Sequence, residues 1–136
     1  MANYSIESIE GIGKTYTKKL QDHNIRTTDK LLEEGRTKKK RKEIAEACGC
    51  TPERVLEWVN RADLYRVPNV GEEISDLLEA AGVDSPKELA QRNPENLAAT
   101  LAELNDKKKL VRRCPRIKSV EKMITAAKKL DKVVTH

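Results

Sequence analysis

Ile9-Glu10-Gly11-Ile12-Gly13-Lys14 and, 58 residues later, Val67-Pro68-Asn69-Val70-Gly71-Glu72 are the stretches on which the fold turns. Extending both in register aligns apolar with apolar: Ile9 with Val67, Ile12 with Val70, Tyr16 with Ile74, Leu20 with Leu78, Ile25 with Val83 and Leu31 with Leu89. Thr17 meets Ser75, Asn24 meets Gly82, and Thr27 meets Ser85. Few pairs are identities, so the pattern carries the repeat. Each copy predicts a tight turn and then a helix with apolar positions at i, i+3, i+4 and i+7, as at Ile74, Leu77, Leu78 and Ala81. Asn24 or Gly82 ends that helix, since both tolerate the left-handed conformation at a helix C-terminus. The next helix starts at Thr27 or Ser85, and Ser85-Pro86-Lys87-Glu88 combines a capping serine, proline at the first helical position and glutamate three residues on.

Outside the repeat the pattern is also helical. Ile44, Ala45 and Cys48 mark a helix over roughly 37–48 that Gly49 breaks, and Thr51-Pro52-Glu53 opens another with Val55, Trp58, Val59, Ala62 and Tyr65 on one face. Asn93-Pro94-Glu95 opens a third, with Leu97, Leu101 and Leu104 inward. Pro115 separates a basic stretch from a last helix carrying Val120, Met123, Ile124, Ala127 and Leu130. No segment sustains an alternating pattern, so no sheet is expected.

The chain has 136 residues, of which 36% are charged, and no Phe. Leu, Ile, Val and Ala must fill a modest core. The net charge of +5 is unevenly spread: +3 over residues 1–66, −7 over 67–106 and +9 over 107–136. Such asymmetry fits an anionic partner met by one face, or acidic helices paired with basic ones. Three cysteines, with no apolar leader over residues 1–15, point to a reducing cytoplasm. No run of about 18 apolar residues occurs, so no membrane span is expected.

Ile9-Glu10-Gly11-Ile12-Gly13-Lys14, with Thr17 and Leu20 behind it, resembles the helix-hairpin-helix motif of proteins that bind DNA without sequence preference. Glycines there permit a tight turn and leave room for a phosphate. Amides at the start of the following helix, with the positive end of its dipole, face that phosphate. Ile12 points back to pin the helices, and Lys14, Thr15 and Lys18 adjoin. The resemblance also implies a monovalent cation held by hairpin carbonyls. The second copy departs from the motif. Asn69 replaces the first glycine and is expected to spoil the turn, while Glu72 and Glu73 would repel an anion. That hairpin is therefore expected to be structural.

Glu57-Trp58-Val59-Asn60, Ala62-Asp63-Leu64 and the run from Gly82 to Leu97 resemble an uncharacterised bacterial domain of unknown function with helix-hairpin-helix character. The C-terminal domain of the RNA polymerase alpha subunit, which binds both DNA and proteins, is similar in fold. The expectation is an all-α fold of eight or nine short helices in two tandem helix-hairpin-helix units packed as one compact body. Residues 1–66 and 67–136 form the halves and share the helix over 52–66.

Two basic clusters extend the candidate nucleic-acid surface around Gly11, Ile12, Gly13 and Lys14. The first holds Lys38, Lys39, Lys40 and Arg41; the second holds Lys107, Lys108, Lys109, Arg112 and Arg113, with Arg116 and Lys118 following. The alternative for each is a solvated helix face. Few aromatics interleave the cations, so stacking on single strands is not expected. Cys48-Gly49-Cys50 lacks a second ligand pair, with only His23 and His136 in the chain, so no metal is expected and Cys48 reads as a buried apolar group. No nucleophile–base constellation appears, and the chain reads as a non-enzymatic binder of duplex nucleic acid. The competing reading is a protein-interaction module using an acidic face at Glu72, Glu73, Asp76 and Glu79.

Overall fold

A computed structural model describes residues 4–9 and 11–135 of the chain. Glu10 of the first turn and His136 lie outside the described residues. Among the described residues the chain is all-α, with eight α-helices and no strand, and an isolated antiparallel bridge joins Ser5 to Thr27. The helices are α1 (Gly13–Asp22), α2 (Thr28–Glu34), α3 (Lys38–Cys48), α4 (Pro52–Leu64), α5 (Glu72–Ala80), α6 (Pro86–Ala90), α7 (Pro94–Lys108) and α8 (Ile117–Lys129). A single 3-10 turn, Ile6–Ser8, precedes the first glycine turn.

Five helices start at a side chain that accepts the N–H three residues on. Thr27, Thr37, Thr51, Ser85 and Asn93 do this for α2, α3, α4, α6 and α7 at 3.0–3.3 Å. Such a cap contributes about 1 kcal/mol. Asn24 and Gly82 close α1 and α5 with φ of 64° and 86°. The stop signals of the sequence therefore work by the expected backbone conformation.

The chain divides into two compact units. One comprises residues 4–63 with 131–135, the other residues 64–130. In the first, α1 packs on α3 and on the 3-10 turn, over a core that includes Ile6, Ile9, Ile12, Leu20, Ile25, Leu31, Cys48, Val55, Trp58 and Val59. Packing is tight where α2 ends, for a Cβ at Gly35 would run into the buried Val59 side chain. The last residues return to this unit: the Thr135 N–H and hydroxyl both donate to Arg36 O, at 2.9 and 3.1 Å. In the other unit α8 packs on α6 and α7, and α5 on α7, over Leu77, Leu78, Val83, Leu89, Leu97, Leu101, Val120 and Ile124.

Positions 58 apart share burial and bonding. Ile9, Ile12, Leu20, Ile25 and Leu31 are buried, as are Val67, Val70, Leu78, Val83 and Leu89. After α1 the Ile25 N–H donates to Leu20 O at 2.9 Å, and after α5 the Val83 N–H donates to Leu78 O at 2.8 Å.

Candidate nucleic-acid interface

The first turn presents bare backbone. Gly11 and Gly13 are exposed and carry φ of 93° and 75°, a region that L side chains rarely adopt. A Cβ at either position would meet nothing within 4 Å, so conformation and not crowding requires glycine here. Ile12, between them, is buried and anchors the turn through its N–H, which donates to Ile9 O at 3.4 Å. The helix that follows has no side-chain cap and no acidic residue in its first turn. First-turn amides lack intrahelical acceptors and carry the positive end of the helix dipole. Lys14, Thr15 and Lys18 are exposed beside them. The arrangement suits an anion approaching along the backbone.

The second turn corrects one expectation. Asn69 does not spoil it: its φ of 70° reproduces the left-handed backbone of Gly11, and the Val70 N–H donates to Val67 O at 3.1 Å. Asparagine tolerates this region because its side chain hydrogen-bonds locally. The turns part at the second glycine. Gly71 is extended (φ −106°, ψ −164°) and caps α5 by its backbone alone. Exposed Glu72 and Glu73 then fill the first turn of α5, where their charge complements the dipole.

The first basic cluster splits. Lys38, Lys39 and Lys40 are exposed in the first turn of α3, but Arg41 is 3% exposed and does not belong to any surface. Its Nη1 donates to Gly35 O at 2.8 Å and its Nη2 to Thr135 O at 2.5 Å, tying the chain's end to the α2–α3 connection. Burial holds its pKa below the ordinary arginine value. Lys40 lines a cleft of about 350 Å³ with Leu20, His23 and Cys48, so the cluster lies beside the C-terminal end of α1. The glycine turn is at the other end, ten residues of helix or roughly 15 Å away.

The second basic cluster lies in the unit that holds the second turn, with Arg113 beside Asn69. Lys107 and Lys108 sit in the last turn of α7, where cations favour the dipole, and Lys107 pairs with Glu103 at 3.6 Å. Lys109 and Arg112 line a cleft with Glu73 and Asp106. Arg113 lines another, of about 630 Å³, with Asn69, Ile74, Arg116, Ser119 and Lys122. The turn from α7 into this segment is fixed by Asn105, whose side-chain amide donates to Val111 O at 3.1 Å and accepts the Val111 N–H at 3.0 Å. Lys122 is a partner the sequence reading passed over, and Asn69 was read there only as a defect in the turn. The signal was available, since 116, 119 and 122 recur at three-residue spacing and share a helix face.

Trp58 is buried and meets Tyr16 at a ring-centroid distance of 5.3 Å. Lys19 of α1 and Arg54 of α4 lie 5.9 and 5.6 Å from the centre of the Tyr16 ring, adding positive charge beside it. Lys19 Nζ also donates to Cys48 O at 3.1 Å. All three cysteines are free. Burial raises the Cys48 thiol pKa, Cys50 adds to the rise and Lys19 opposes it. Burial likewise raises Cys50 and Cys114, the latter with help from Asp106. Among the described residues no group of three or more His, Cys, Asp or Glu side chains is placed to hold a metal ion, and no helix is long and apolar enough to cross a membrane.

No curated protein and no solved structure gives a significant match to the chain. A family described as a domain of unknown function (DUF4332) matches residues 10–130, nearly the whole chain, and the protein belongs to that family.

Proposed function

We propose that the two units are tandem helix-hairpin-helix units of a non-enzymatic cytoplasmic module. It binds the backbone of double-stranded nucleic acid, duplex DNA foremost, without reading sequence. The observation that carries this reading is the first turn. Two exposed left-handed glycines open directly onto an uncapped helix start, flanked by Lys14 and Lys18 and free of acidic neighbours in that helix turn.

A second support is electrostatic. Lys38, Lys39 and Lys40 occupy the start of α3, with no acidic residue in its first turn. Cations at that end oppose the dipole, at a cost of about 0.3–1 kcal/mol each. A polyanion at that helix start would offset the cost. The acidic-face alternative has weaker support, because Asp76 and Glu79 already interact within the chain.

The test is a fluorescence-anisotropy titration of a short duplex of arbitrary sequence over a range of salt. Counterion release makes the logarithm of affinity fall linearly with the logarithm of salt, with a slope of about −0.9 per phosphate neutralised. A flat response, or no binding at low salt, removes the proposal.

A further inference from the structure

We propose that the cleft between the second turn and the start of α8 binds a phosphate group. This goes beyond the first-turn contact and does not rest on it. Three cations, Arg113, Arg116 and Lys122, line the cleft, and no carboxylate does. Among the described residues no ion pair engages any of the three. The backbone adds to them: α8 begins at Arg116 without a side-chain cap and without an acidic residue in its first turn. Ser119, in that turn, lines the same cleft, so the unpaired amides of the helix start adjoin it. Asn69 also lines the cleft, from a turn with a left-handed backbone at that residue. A volume of about 630 Å³ exceeds what one phosphate needs and leaves room for the group that carries it.

The chemistry is recognition of a doubly or singly charged phosphate by guanidinium forks, an ammonium group and helix-start amides. Arginine suits this role because its planar donors match phosphate oxygens two at a time. Such a phosphate comes either from a nucleic-acid backbone or from a small phosphorylated molecule.

The test uses the full chain, labelled with nitrogen-15, at constant ionic strength. One arm titrates inorganic phosphate and the other a short DNA duplex, and both read the amide shifts of Asn69 and of residues 116–119. Saturable shifts in the phosphate arm support the proposal. Saturation by the duplex as well assigns the phosphate to a nucleic-acid backbone, and saturation by phosphate alone assigns it to a small molecule. Arg113→Gln with Arg116→Gln should weaken the phosphate response about tenfold, the effect of losing charge-assisted hydrogen bonds. Lys122→Gln serves as a milder second variant. Lys128→Gln with Lys129→Gln, at the exposed far end of α8, should leave the response unchanged. No saturable shift at Asn69 and Ser119 in either arm overturns the proposal. So does an equal loss from the Lys128/Lys129 pair, which would mean general electrostatics.

Discussion

The two glycine turns share their apolar anchors and part at one residue. Ile12 and Val70 are equally buried, and Gly11 and Asn69 share a left-handed backbone. Gly13 keeps that left-handed backbone into α1, whereas Gly71 is extended and is followed by two exposed glutamates. Holding a turn together and leaving the following helix start free of acidic side chains are thus separable. The second turn keeps the first property, and the acid pair at the start of α5 replaces the second. Its positive charge comes instead from another segment, through Arg113, Arg116 and Lys122.

The largest expected effect is one in which the turns behave alike. Ile12→Ala should lower the unfolding free energy by about 2–5 kcal/mol, the range for emptying a buried aliphatic site. Val70→Ala should lower it by less, since a smaller group is removed. Urea denaturation measures both, and a neutral result for Ile12→Ala would mean that the turn is not pinned from within. Next comes Arg41→Gln, which leaves two carbonyls without their guanidinium and should destabilise by about 1–3 kcal/mol. Duplex affinity of the folded variant should stay as it was. A loss of affinity without a loss of stability would return Arg41 to the interface. Smaller still is Gly13→Ala, costing about 1–2 kcal/mol through left-handed strain alone, because the space above it is open. Asn69→Gly should be close to neutral and Asn69→Ala should destabilise. Equal stability for those two would mean that the left-handed backbone at residue 69 is of no consequence.

Most of the fold was legible because local chemistry sets each boundary. Thr27, Thr37, Thr51, Ser85 and Asn93 cap the helices they were read to start, or stand within one residue of the expected start, and Asn24 and Gly82 end theirs. What the sequence concealed was long-range. Residues 131–135 cross back to Arg36 and Arg41, the latter contact spanning 94 residues in sequence. Arg41 therefore looked like one more cation after Lys38, Lys39 and Lys40, and only tertiary packing distinguishes it. Asn69 misled for a different reason. Glycine is one solution to a left-handed position and asparagine is another, so a missing glycine does not imply a missing turn. The site was legible as a turn and two charge clusters. Which cluster gathers beside which turn was not, because nothing local brings residues 113–122 to Asn69.

The central claim is that the first turn grips a polyanion and the start of α5 does not. The most direct measurement compares duplex affinity for the unaltered chain, Lys14→Glu and Glu72→Lys across salt, with thermal melts as a check on folding. Both side chains are exposed, so Lys14→Glu should not lower the melting temperature, and Glu72→Lys should lower it by only a few degrees, the effect of reversing a charge that complements the α5 dipole. Lys14→Glu should weaken binding several-fold and reduce the magnitude of the salt slope by about 1, as expected for a lost phosphate contact. Glu72→Lys should leave affinity unchanged or raise it slightly. Equal and opposite effects from the two sites would reduce the interaction to general electrostatics. No effect from Lys14→Glu, beside a loss from variants in the Lys107–Arg113 cluster, would contradict the account and leave the first turn a purely structural device.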